Sequence, residues 1–190
     1  LLKVKSEVSM KMKEVVEIAL TYLGDEDASV SAQTAQHPKN KLLVKCVNLL
    51  LKEIACDYAP LVESEVVEVK DGKFCYDVFP HRVREIVKVV NLENGVDMKF
   101  EQKPLWCCVA LAKKVEVCYA YVPGDIGVDD ECVMSPKISS KTLALGAISE
   151  FCLIEGMYEQ SALYGDKFRE EMKNACRKNS EIKIKTRVWM

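Results

Sequence analysis

The sequence predicts an α+β fold: a helical bundle with an antiparallel β-sheet excursion between two helical pairs, and a strand at the end of the chain. Three observations predict it. Apolar residues recur at helical spacing near both ends, the period changes to alternation in the middle, and turn dipeptides punctuate that middle part. With 190 residues, 49% hydrophobic and 29% charged, the chain suits one packed domain over residues 1–190 better than two.

Taken in order, residues 6–23 predict a first helix. Val8, Met12, Val15, Val16, Ala19, Leu20 and Leu23 form its apolar stripe, and Gly24 supplies a stop. Residues 25–40 hold few large apolar groups and read as a polar connector. Asn40 is placed to cap a second helix carrying Leu42, Leu43, Cys46, Val47, Leu50, Leu51, Ile54 and Ala55, which Pro60 closes. The helical pair thus covers about 6–58.

A β block follows over about 61–122. Val67 and Val69, the turn Asp71-Gly72, and then Phe74, Tyr76 and Val78 read as short strands. Residues 83–90 are rich in β-branched side chains, and Asn94-Gly95 before Val96, Met98 and Phe100 is a hairpin signal. Residues 105–111 and 115–121 add two strands, for five to six in all. The loop 123–136 leads to Ser139 and Ser140, either able to cap a helix bearing Leu143, Ala147, Ile148, Phe151 and Cys152. Gly156 ends that helix, and a last one over about 160–178 turns Leu163, Phe168, Met172, Ala175 and Cys176 inward. Ile182, Ile184, Thr186, Val188 and Met190 then alternate with Lys183, Lys185, Arg187 and Trp189, a strand pattern over 181–190.

Several function classes find no support. The net charge of −2 comes from 27 basic and 29 acidic side chains, with no global excess to hold a polyanion. Nine cysteines without any C-x-x-C pair, and only two histidines, fit neither a disulfide framework nor a zinc site, and read as small buried hydrophobes. No apolar run approaches a membrane span, and the first residues do not form a signal sequence. Ser-His-Asp order, H-E-x-x-H and phosphate-binding glycine loops are missing, so no residue is assigned to catalysis, a metal or a cofactor. The adjacent Cys107 and Cys108 point to opposite faces of a strand, one into the core. His81, beside Arg82 and Arg84, reads as a solvated strand start whose charge Asp77 and Glu85 offset.

Two groups remain as interface candidates. Asp125, Asp129 and Asp130, with Glu131, lie in an acidic loop that lacks the alternating ligands of a calcium loop and reads as a solvated interface loop able to meet a basic partner. Lys183, Lys185, Arg187 and Trp189 share one face of the last strand, a basic stripe fit to dock on an acidic neighbour or on DNA.

Segment by segment, the chain resembles the head-to-tail connector (adaptor) proteins of tailed bacteriophages, including the tail tubular protein A type. The likeness runs from ALTYLG (19–24) to the end. It is carried by CYAYVP (118–123), LALGAISEFCLIEG (143–156), SALYGDKF (161–168) and the basic KTRVW (185–189). The nine cysteines and the long polar connector depart from the pattern. The resemblance implies a virion structural protein, assembled in the host cytoplasm, that forms a homo-oligomeric ring, often of twelve copies. Such a ring lies between the portal protein and the next tail protein and surrounds passing DNA without reading its sequence. The reading from another class is a small cytosolic protein-binding module that uses the β block as a partner groove. An enzyme built on a cysteine thiolate is a third.

Overall fold

The computed structural model describes residues 10–25, 30, 37–110 and 112–177. Its elements give the predicted α+β order. Strand β1 (Met10–Lys11) and helices α1 (Met12–Tyr22) and α2 (Pro38–Asp57) come first. Six strands follow: β2 (Leu61–Glu68), β3 (Lys73–Cys75), β4 (Arg82–Asn91), β5 (Phe100–Gln102), β6 (Trp106–Val109) and β7 (Lys114–Val122). The short β8 (Glu131–Cys132) then leads to α3 (Ser140–Ile154) and α4 (Tyr158–Ala175). The last predicted strand, 181–190, lies outside the described residues, as does most of the polar connector.

The helices pack around α3. From Thr142 to Ile148 every residue of α3 is buried, as expected of a helix apolar all round, and α1, α2 and α4 each pack on it. Ser139 caps α3 by accepting a hydrogen bond from the Thr142 N–H at 3.2 Å. Gly156 closes it at φ 78°, where the Gly156 N–H reaches Leu153 O and the Met157 N–H reaches Cys152 O. Gly24 closes α1 in the same way, through Thr21 O and Leu20 O.

The β block has its own core. Sheet β2-β7-β4 and sheet β3-β6-β5 are antiparallel throughout. They meet through Val67, Val117 and Tyr119 on one side and Phe74, Cys107 and Val109 on the other. The Asp71-Gly72 turn forms as predicted, both residues at positive φ between paired Lys70 and Lys73. Asn94-Gly95 also reverses the chain, but only a short return pairs with β4 before the chain crosses to the other sheet.

Five local expectations are corrected. The first helix starts at Met12, because Met10 and Lys11 pair with β8 and the Met12 and Lys13 N–H groups donate to Asp130 O and Val128 O. The second starts at Pro38, with His37 at the cap position and Asn40 inside the first turn; proline at the first helical position loses no hydrogen bond. The strand expected through Tyr76 and Val78 stops at Cys75 and becomes a 3-10 turn over Tyr76–Val78. Phe74 and Phe79 are an odd number of residues apart and would face opposite ways in a strand; the turn brings both into the core, ring centroids 6.0 Å apart. On α4 only Phe168 and Met172 are buried, and Leu163 and Cys176 are exposed, because this helix covers just one side of the bundle. The fifth correction concerns the acidic loop.

Candidate assembly surfaces

The loop from Pro123 to Ser139 is folded against the bundle. Cys132, Met134 and Ile138 are buried in the helical core, with Ile126 and Val128 packed against it. Its backbone is tied to α2 by Asn48, whose side-chain amide donates to Ile126 O at 3.0 Å while its carbonyl accepts the Ile126 N–H at 2.9 Å. The carboxylates reach solvent, as does Val133 at 49% exposure. Asp125 pairs with Lys52 at 2.5 Å, Asp130 accepts the Gly127 N–H at 2.7 Å, and Asp129 is exposed. The three predicted candidates therefore sit together on a loop held in place by α1 and α2. Alternating apolar residues (Ile126, Val128, Cys132, Met134) and an asparagine within the apolar stripe of α2 were the signals for that docking.

The other predicted group, Lys183, Lys185, Arg187 and Trp189, lies outside the described residues. The chain approaches it from α4, whose end at Ala175 and Cys176 lines a small cleft with Tyr58 and Ala59, just ahead of β2.

Sequence reasoning missed the open edge of β2. This eight-residue strand pairs with β7 along its whole length and, among the described residues, with nothing on its other side. Val62 and Val66 on its outer face are 50% and 58% exposed. Beyond the edge, an opening of about 550 Å³ is lined by Val66, Val67, Phe74 and Val78 between β2 and β3. Edge strands this long are normally blunted by charged side chains, proline or a covering element; β2 has no proline, and its three glutamates are the charge it carries. The bundle also leaves Leu49, Leu153, Ile154, Tyr158 and Leu163 in solvent.

Between bundle and β block lies a cleft of about 460 Å³, lined in part by Leu61, Glu63, His81, Tyr121, Glu131 and Val133. His81 stacks on Tyr121 at 4.5 Å and its Nε2 lies 3.6 Å from Glu63, so these partners replace the expected Asp77 and Glu85. Arg84 turns away from His81. It is the extra residue at the first bulge of β4 and donates to Ala55 O in the last turn of α2 at 3.3 Å, where a cation meets the negative end of the helix.

The buried thiols are poorly suited to nucleophilic work. Burial pushes Cys46, Cys107 and Cys132 up to about 11, with smaller contributions from Glu150, Cys108 and Glu14 respectively. Cys107 enters the core and Cys108 is only partly buried. Among the described residues, no cluster of three or more His, Cys, Asp or Glu could hold a metal, and no helix is long and apolar enough to cross a membrane. No protein-family model and no curated protein matches the chain.

Proposed function

We propose that this chain is a virion structural protein, a head-to-tail connector that forms a ring between the portal and the tail. The observation that carries the reading is a pair of separate adhesive surfaces. One is the exposed apolar set on the bundle, Leu153, Ile154, Tyr158 and Leu163; the other is the open β2 edge with Val62 and Val66. Two unlike surfaces on one protomer suit a heterologous contact, which closes into a ring when its rotation does. The order of helix pair, β block and helix pair, which the resemblance implies, adds to this support.

The mechanism is geometric. Helices locked around α3 set the spacing of subunits, while the β block and the last segment fit the adjoining copies and rings. A protomer with 27 basic and 29 acidic side chains offers passing DNA no strong non-specific grip. Weak single contacts gain strength once many copies engage together.

The test is the mass of the purified protein with and without the portal protein, by native mass spectrometry or light scattering. A ring, alone or only on the portal, supports the reading and gives the copy number. A monomer indifferent to the portal rejects it and moves the weight to a small cytosolic protein-binding module, for which the cleft between bundle and β block is the specific support.

A further inference from the structure

We infer that the open edge of β2 is the seat of residues 182–190 of a neighbouring copy, added as an antiparallel strand. The inference deepens the ring reading and rests on it, since it names the contact between adjacent subunits.

Charge and pattern single out this occupant. The exposed strand reads Val62-Glu63-Ser64-Glu65-Val66, and the segment reads Ile184-Lys185-Thr186-Arg187-Val188. β2 contains three glutamates and no basic residue, whereas 182–190 contains three basic residues and no acidic one. With Thr186 set opposite Ser64, antiparallel pairing puts Lys185 opposite Glu65 and Arg187 opposite Glu63. The same register puts Ile184 opposite Val66 and Val188 opposite Val62. Opposite charges and apolar pairs across strands are each favourable. A slip of one residue sets Lys185 and Arg187 against valine or serine and loses these four matches. Strand addition would also satisfy the unpaired edge of β2 and cover the opening lined by Val66, Phe74 and Val78.

Both motifs are symmetric about their central hydroxyl residue, so the pattern favours this register in either strand direction, and the reach of the chain bears on which copy donates. The end of α4 lies beside Tyr58 and Ala59, at the start of β2. Residues 178–184 span about 23 Å fully extended, at roughly 3.3 Å per residue. The path along the strand from Ala59 to Val66 is also seven residues, or about 23 Å. A chain pairing with its own β2 in the antiparallel sense would use that whole reach before it could reverse. Its own segment would thus pair more readily in parallel, whereas every ladder among the described residues is antiparallel. Another copy can enter from the far end of β2 without that restriction.

Hydrogen exchange on the full-length chain, read with its mass, tests this. In the wild-type assembly, the β2 amides not bonded to β7 exchange slowly. Glu65→Lys or Lys185→Glu alone lowers the mass and speeds their exchange at least about tenfold. The double variant Glu65→Lys/Lys185→Glu restores both, whereas Glu65→Lys/Arg187→Glu does not. Rescue by the Arg187 partner instead would indicate parallel pairing and overturn the inference. An intact ring whose β2 edge exchanges like an exposed loop overturns the strand seat and leaves the ring standing. A monomer at every concentration overturns both.

Discussion

Asn48 and Ile126 hold each other in both directions, side-chain amide to backbone carbonyl at 3.0 Å and backbone amide to side-chain carbonyl at 2.9 Å. Asn48 is only 7% exposed, and its amide also reaches Val44 O at 3.1 Å. With the buried Cys132, Met134 and Ile138, this side chain makes a polar-looking loop part of the fold, and the loop in turn supplies the carbonyls that receive the first N–H groups of α1.

Replacing Asn48 by leucine keeps the branched shape, with a larger volume, and removes the bonds to Ile126 and Val44, leaving the Ile126 amide and carbonyl without their partner. The expected cost is about 3 kcal/mol, since orphaned buried polar groups lose their full desolvation penalty. Urea denaturation measures it. A loss below about 0.5 kcal/mol would mean that the loop is held by its apolar contacts alone.

Gly146 makes a second prediction, in which only the sign matters. A Cβ there would lie 2.6 Å and 2.9 Å from the two methyls of Leu50 and 3.0 Å from the Phe168 ring, and Leu50 is itself buried. Gly→Ala in a free helix gains up to about 1 kcal/mol, whereas overpacking a tight core costs about 1–3 kcal/mol. Gly146→Ala is therefore expected to lower the melting temperature, and Gly146→Val to lower it further. A rise with alanine would show that α2 and α4 can draw back from α3.

Much of the architecture was legible because local signals and tertiary needs agreed. The Ser139 cap, the Gly24 and Gly156 stops and the Asp71-Gly72 turn each involve one residue acting on its own neighbours. The failures were long-range. The start of α1 depends on carbonyls more than a hundred residues later, and the 3-10 turn at Tyr76 exists so that Phe74 and Phe79 can meet the same core. Leu163 is apolar, but it lies at the edge of an open cleft and stays 53% exposed among the described residues. Of the candidate site, the acidic residues were legible as a cluster but their docking by Asn48 was not. The β2 edge was invisible because edge position follows from strand order, and periodicity does not report strand order.

The thiols give a pH prediction. Cys46, Cys107 and Cys132 stand near 11 when folded, against a usual value near 9. Below pH 9 both folded and unfolded chains keep these protons and the thiols leave stability unchanged. Between pH 9 and 11 the unfolded chain releases them while the folded chain holds them, so stability falls as pH rises through that window. Denaturation midpoints at pH 8, 9.5 and 10.5 should decrease in that order. Replacing the three thiols by alanine should flatten the trend even though it lowers the starting stability. At neutral pH, alkylation should mark the exposed Cys75 and Cys176 first and the buried set only after unfolding.

The acidic loop separates stability from assembly. Lys52 and Asp125 are 2.5 Å apart, but their side chains are 36% and 73% exposed, and pairs this wet contribute little. Asp125→Asn with Asp129→Asn should therefore shift unfolding by less than about 0.5 kcal/mol. If the loop meets a basic surface on the portal or the adjoining tail protein, the same variant should associate several times more slowly at low salt. The difference should close as salt is raised, because charges at an interface rim act mainly on the association rate and are screened. Stopped-flow association at two ionic strengths decides the matter. Equal rates at low salt would remove Asp125 and Asp129 from the interface and leave Asn48's hold on the loop as a purely architectural device.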